Sequence, residues 1–159
     1  MQLQGWLLAA ALTVTPAMAH AQVTLDHPHQ LLGKGVALVV EGRYAEAEKP
    51  LREALRLDPT LAEGHYNLGV ALREQGRFDD AIAEYRASLA GFTSEPDRAK
   101  ALYGMDLARE AHGDKNAWED YLAFALPLRA EQPTVQIAQE HRDILNGVKV
   151  PGSYQKAAR

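Results

Sequence analysis

The sequence contains no cysteine, and this absence excludes several classes of protein. Such a chain has no disulfide framework, no thiolate metal site and no cysteine nucleophile. A strong charge bias is missing too, because the formal net charge is −4 at pH 7, and nothing in the composition favours a nucleic-acid partner. The 159 residues are enough for one domain, and the 47% hydrophobic content allows that domain a real core.

Motifs that carry enzymatic or metal chemistry are also absent. No HExxH pair or cluster of histidines and carboxylates has the spacing of metal ligands. None of the serines sits in a G-x-S-x-G elbow, and no glycine-rich loop could cradle a phosphate. His27 and His29 flank Pro28, but solvated or half-buried histidines are favoured over a metal site there. The sequence therefore predicts no enzyme, no cofactor and no bound metal.

The first 25 residues carry no charged side chain, and Asp26 is the first. The apolar run from Gly5 to Met18 is shorter than the roughly 20 residues that a membrane-spanning helix needs. It leads into Ala19-His20-Ala21, a match to the small-residue site of a signal peptidase. We therefore expect a signal peptide over residues 1–21, cleaved after Ala21, and a periplasmic or secreted protein without an integral membrane segment.

Two alternatives remain for this N-terminal segment. The residues before the apolar run include no lysine or arginine, which a typical signal peptide would have. The segment could instead stay attached as an uncleaved anchor, or form an ordinary buried helix.

The rest of the chain repeats itself with a period of 34 residues. The corresponding pairs are Gly35 and Gly69, Gly42 and Gly76, Tyr44 and Phe78, Ala47 and Ala81, and Leu55 and Leu89. A fixed period of this length is the signature of a repeat architecture. Apolar residues recur at steps of three and four, which predicts amphipathic helices, and no stretch alternates as a strand would.

Glycines and prolines mark where these helices are expected to end and begin. Helices should stop at Gly42, Gly76, Gly113 and Gly147, because glycine is favoured just after a helix C-terminus. The first helix is expected to start near Pro28, and a later one at Asp58-Pro59, since aspartate is a good cap and proline suits the first helical position.

The second copy resembles a tetratricopeptide repeat. The residues that carry the resemblance are Tyr66-Asn67-Leu68-Gly69, Leu72, Gly76, Phe78, Ala81, Tyr85 and Leu89. The resemblance implies an all-α, right-handed superhelix of antiparallel helix pairs. The first copy departs from the pattern at Lys34 and Leu51, and the third is stretched between Gly104 and Gly113.

These observations divide the chain into a signal peptide and three further parts. A leader of loose structure is expected over residues 22–27, before a helical repeat domain over 28–147. That domain would hold repeats at about 28–61, 62–95 and 97–128, followed by a capping helix at 133–146. A flexible tail is expected over 148–159.

In the family resembled here, the first helix of each repeat lines a concave binding face. The residues expected on that face are Leu32, Val36, Tyr66, Asn67, Val70, Arg73, Arg98, Met105 and Arg109. An apolar floor with arginines around it suits a peptide that has apolar anchors and an acidic group. The apolar members could instead be core against a neighbouring repeat.

One known binding mode of the family, a clamp for a C-terminal carboxylate, is not expected here. Leu32 and Val36 stand where that clamp would need lysine and asparagine. The function predicted is a protein–protein interaction module or scaffold that binds a peptide or protein segment in an envelope or secreted assembly. The alternative is a self-associating structural protein, a homo-oligomer, because three repeats are near the minimum for stability.

Overall fold

Seven helices make up the part of the chain that the structure, a computed structural model, describes: residues 16–129 and 132–147. They are α1 (Pro16–Val40), α2 (Tyr44–Leu57), α3 (Ala62–Glu74), α4 (Phe78–Gly91), α5 (Glu95–His112), α6 (Glu119–Arg129) and α7 (Pro133–Leu145). No strand occurs in these two ranges. The predicted all-α fold is confirmed.

The helices stack as pairs into a superhelix of repeats. Each helix packs against the next one in the chain, and in addition α1 contacts α3 and α3 contacts α5. The first helices of successive pairs therefore form one layer, with α2 and α4 behind it. None of the described helices has the length and apolar character needed to cross a membrane.

The four glycines predicted to stop helices do so in a left-handed backbone conformation. Gly42, Gly76, Gly113 and Gly147 have φ values of 74°, 77°, 95° and 76°. A side chain would strain the backbone at such angles, so glycine is the favoured residue there. At Gly76 the tight turn is closed by a hydrogen bond of 3.0 Å from the Arg77 amide to the Leu72 carbonyl.

Small residues allow the helices of a pair to cross closely. A Cβ atom added to Gly35 of α1 would lie 2.5 Å from the Leu51 side chain of α2. Tyr85 of α4 plays the same part in the second pair, with its ring between Gly69 of α3 and Gly104 of α5. Added Cβ atoms at these two glycines would lie 3.0 and 2.8 Å from the ring, which is fully buried. Tyr85 therefore joins α3, α4 and α5.

An aromatic cluster holds the C-terminal helices together. The fully buried Trp118 lies with its ring centroid 5.2 Å from that of Tyr103 and 5.4 Å from that of His141. Its indole N–H donates to Glu110 Oε2 at 2.8 Å, and the same oxygen is 2.9 Å from His141 Nδ1. Val135 of α7 is fully buried, so α7 is packed onto the array by both apolar and polar contacts.

Two helix starts differ from the prediction. The first helix begins at Pro16 rather than near Pro28, so the residues expected to form a loose leader, 22–27, are helical. No glycine interrupts residues 16–27, and a proline inside a helix removes only one backbone donor. The third helix begins at Ala62, because Asp58 accepts the Thr60 amide at 2.9 Å in a turn of its own.

Residues 1–15 of the predicted signal peptide and the predicted tail, 148–159, lie outside the described residues.

Candidate functional site

A groove of about 420 Å³ lies between α3 and α5 and reaches α6 and the start of α7. We call it the α3/α5 groove. Its lining residues are Tyr66, Val70, Arg73, Tyr85, Pro96, Ala99, Lys100, Tyr103, Gly104, Leu107, Tyr121, Gln132 and Thr134. Tyr66, Val70 and Arg73 are spaced by four and three residues, so they form one stripe of α3. The stripe on α5 runs from Pro96 to Leu107.

Tyrosine is concentrated in this groove, because four of the six tyrosines in the chain line it. The Tyr66 and Tyr85 ring centroids are 5.8 Å apart, and those of Tyr103 and Tyr121 are 5.3 Å apart. Tyrosine combines a large apolar surface with a polar tip and is enriched at protein interfaces. Tyr66 and Tyr103 are half-buried and can contact another chain, whereas Tyr85 and Tyr121 are buried.

The charge of the lining is of one sign. Arg73 and Lys100 line the groove, and none of the lining residues is acidic. Each cation has a carboxylate beside it: Arg73 Nη2 lies 2.6 Å from Glu74, and Lys100 Nζ lies 3.2 Å from Asp97. The groove is therefore mildly positive rather than strongly basic.

Two buried polar atoms of the lining, the Tyr85 hydroxyl and Arg73 Nε, have no hydrogen-bond partner among the described residues beyond the contact of the hydroxyl with the Arg73 guanidinium. Burial raises the pKa of the Tyr85 hydroxyl above its usual range, although the nearby Arg73 guanidinium acts in the opposite direction. The hydroxyl therefore stays protonated and remains a donor. Most buried polar groups in folded proteins are paired, so each exception requires an explanation.

Comparison with known proteins identifies the repeat. A family model described as Tetratricopeptide repeat matches residues 7–62, 32–96 and 66–113, which together cover more than half of the chain. The chain belongs to the tetratricopeptide repeat family. None of the curated proteins matches it at a significant level.

The fold is similar to that of a solved structure. This is the type III secretion chaperone SycD of Yersinia enterocolitica, in complex with a peptide of the translocator YopD. The TM-score is 0.63 at 18% identity, over 76% of this chain and 93% of that chain. At this identity the likeness concerns the fold.

Of the residues that the repeat pattern predicted on the binding face, the structure brings Tyr66, Val70 and Arg73 together in the α3/α5 groove. The apolar residues Leu32 and Met105 lie in the hydrophobic core, with exposures of 7% and 4%. Val36 packs against that core, and Asn67 is buried with its Nδ2 donating to the Glu63 carbonyl at 2.8 Å.

The two arginines of the third tetratricopeptide repeat bind to their own chain. Arg98 Nη1 donates to the Leu89 carbonyl at 3.1 Å, near the end of α4. Arg109 forms ion pairs with three carboxylates, those of Asp106, Asp114 and Asp120, at 3.3, 2.9 and 2.7 Å. Their guanidinium groups are thus engaged in contacts that stabilise the fold.

Sequence reasoning missed the groove residues on α5 and α6, namely Lys100, Tyr103, Leu107 and Tyr121. On α5 it selected the stripe of Arg98 and Met105, which lies on a different side of the helix. The signal that could have found the missed residues is the spacing of the tyrosines, since Tyr66, Tyr85, Tyr103 and Tyr121 recur at intervals of 18 or 19 residues.

Proposed function

We propose that this chain is a protein-interaction module that holds a peptide segment of another protein in the α3/α5 groove. Tetratricopeptide repeats build concave surfaces that serve as binding faces. The observation that carries the proposal is the collection of four tyrosines around one groove of about 420 Å³. Aromatic residues dominate the binding energy of such interfaces, because they bury much surface at a low cost in entropy.

The proposed site keeps three of the residues expected from the sequence, Tyr66, Val70 and Arg73. It adds lining residues of α4, α5 and α6 and omits the other residues of the predicted face, which do not line the groove. A groove of this size accommodates a few side chains of an extended or helical segment. The presence of a translocator peptide in the similar SycD complex supports a peptide as the ligand.

Selection from a displayed random-peptide library tests the proposal, because such a library samples many candidate ligands at once. Val70→Arg places a long charged side chain in the middle of the α3 stripe, and Ala83→Arg makes the same change on the exposed face of α4. We expect peptides enriched on the wild type to bind Ala83→Arg equally and to lose at least about tenfold in affinity for Val70→Arg, since arginine fills the apolar centre of the groove.

The result depends on both variants being folded, which circular dichroism checks. If the peptides bind Val70→Arg as well as they bind the wild type, the groove is not the binding site.

We further propose that the chain is exported and that its partner belongs to an envelope or secreted assembly. The support is the uncharged N-terminal stretch with its apolar run and the small residues Ala19 and Ala21. Cleavage after Ala21 would shorten α1 to residues 22–40 and leave every groove residue in place. Fractionation with intact-mass measurement should find a protein that begins at Gln22 outside the cytoplasm. A full-length cytoplasmic protein would contradict export.

A further inference from the structure

We propose that the α3/α5 groove selects a peptide that carries a carboxylate, which accepts hydrogen bonds from the Tyr85 hydroxyl and from Nε of Arg73. This inference rests on the proposed function and specifies the chemistry of the ligand. It differs from a clamp built on the first helices of the repeats, because one of its donors, Tyr85, comes from the second helix of a repeat.

The first argument is the state of the two donors. Tyr85 is fully buried with its hydroxyl beside the Arg73 guanidinium, and the hydroxyl and Arg73 Nε have no other hydrogen-bond partner within the described ranges. A buried polar group without a partner destabilises the fold. A ligand that supplies acceptors at this point forms hydrogen bonds with both groups, and these bonds add to its binding free energy.

The second argument is that the unmet groups are both donors. Arginine has only donors, and a protonated tyrosine hydroxyl donates its single hydrogen. The ligand must therefore bring acceptor atoms, and a carboxylate has two oxygens for them. The lining favours a negative charge as well, since it contains Arg73 and Lys100 and no acidic residue.

The third argument is where the hydroxyl lies. A Cβ atom built on Gly104 would be 3.1 Å from the Tyr85 oxygen, so the hydroxyl sits at the floor between α3 and α5 where α5 has no side chain. The half-buried Tyr66 packs at a tilt against the Tyr85 ring, with centroids 5.8 Å apart. A rotation of Tyr66 on binding opens the floor, and side-chain rotations of this kind are common at interfaces.

The apolar lining completes the recognition. Val70 of α3 and Leu107 of α5 line the groove together with the tyrosine rings. A peptide that places aliphatic or aromatic side chains on both sides of the carboxylate would bury them there. The carboxylate can come from an aspartate or glutamate side chain or from the C-terminus of the partner, because the two present the same acceptors.

The experiment takes a peptide enriched on the full-length wild type and compares three synthetic forms. One has its natural groups, one has each acidic side chain replaced by its amide, and one has an amidated C-terminus. We expect one of the two amide forms to bind at least about tenfold more weakly, as loss of one charge-assisted hydrogen bond implies. Which of the two is weakened identifies the source of the carboxylate.

Tyr85→Phe provides the matching change in the protein. It removes the oxygen and keeps the ring between Gly69 and Gly104. We expect the affinity of the natural peptide to fall about tenfold while the thermal stability of the free protein is unchanged or higher, because an unpaired buried hydroxyl is removed. The amide form keeps one acceptor oxygen but no charge, so Tyr85→Phe should weaken its binding less than it weakens that of the natural peptide. Tyr44→Phe, outside the groove, is the control and should change neither quantity.

The two proposals fail in distinguishable ways. Two results would overturn the carboxylate inference and leave the proposed function standing. In the first, peptides lose affinity for Val70→Arg but neither amide form binds more weakly. In the second, peptides bind Tyr85→Phe with full affinity. Loss of affinity in Tyr85→Phe that accompanies a matching loss of thermal stability also overturns it, because the hydroxyl would then be structural. If Val70→Arg weakens the binding of no peptide, both proposals fail.

Discussion

At the scale of the residue, several charged side chains of this protein stabilise the ends of its own helices. Asp106 of α5 is fully buried, and its carboxylate accepts the backbone N–H of Tyr121, in the first turn of α6, at 2.9 Å. Arg98 serves the opposite end of a helix by donating to a carbonyl near the end of α4. Such contacts satisfy backbone groups that a helix end leaves unpaired.

Asp106 makes the stability of the protein depend on pH. Burial raises the pKa of its carboxyl to about 6, although the Tyr121 amide and Arg109 favour its charged form. Because the pKa is raised above that of the unfolded chain, the stabilising contribution is complete at low pH and is lost as the pH rises through about 6. Ionisation of Asp106 therefore destabilises the folded protein between about pH 4 and pH 7.

Asp106→Asn tests this dependence, since asparagine can still accept the Tyr121 amide and does not ionise. We expect the free energy of unfolding of the variant, relative to that of the wild type, to increase by up to about 3 kcal/mol as the pH rises from 4 to 7. Urea denaturation of both proteins at several pH values measures the difference in their free energies of unfolding. Other carboxyl groups with a lowered pKa are present in both proteins, so their contributions cancel in that difference. A difference that does not vary with pH would show that burial does not control this carboxyl.

At the scale of the element, α1 contains a matched pair of glycines. Gly35 lies against Leu51 of α2, where an added Cβ would be 2.5 Å from a fully buried side chain. Gly33 is exposed, and nothing lies within 4 Å of its added Cβ. The two glycines are two residues apart on the same helix, one buried against α2 and the other exposed to solvent.

Alanine at these two positions should have opposite effects. Gly33→Ala should stabilise the protein by about 0.5–1 kcal/mol, because alanine loses less backbone entropy in a helix. Gly35→Ala should destabilise it by about 1–3 kcal/mol, because Leu51 has no room to move. Urea denaturation followed by circular dichroism measures both. Two stabilised variants would mean that the α1–α2 crossing tolerates a wider separation.

The fifth helix shows why the fold could be predicted from the sequence and the site only in part. The 34-residue period and the glycine stops depend on local chemistry that the sequence displays, and the structure confirms both the fold class and the four stops. Gly104 stands in the third copy where Gly69 stands in the second. In the structure both pack against Tyr85 of α4.

The groove face of α5 therefore differs from the face that the alignment implied. A helix turns by about 100° per residue, so the predicted stripe through Met105 points into the core while Lys100 and Tyr103 line the groove. Amphipathic spacing identifies a buried face but does not say which neighbour buries it. The same limit hid the ion pairs of Arg109, whose partners Asp114 and Asp120 are not on the same helix.

At the scale of the whole molecule, the contacts are local along the array. Each helix contacts the next helix in the chain, and α1, α3 and α5 also contact one another in sequence. The last helix, α7, lies against α6 and reaches α5 through the contact of His141 with Glu110. The stability of such an array is approximately a sum of repeat and nearest-neighbour terms. Damage at the C-terminal end should therefore remain there rather than unfold the groove wall formed by α3 and α4.

Val135→Asp tests this localisation at the last helix. Val135 is fully buried, so an aspartate there would place a charge among apolar groups at a cost of about 3 kcal/mol or more. We expect hydrogen exchange to speed up in α7 and α6 and to stay unchanged in α3 and α4, because the contacts of His141 in α7 are with Trp118, just before α6, and with Glu110 at the end of α5. Gln136→Asp adds the same charge on the exposed face of α7 and should leave all four helices protected. Equal loss of protection from α1 to α7 in Val135→Asp would show that the array unfolds as one cooperative unit and that nearest-neighbour contacts do not describe it.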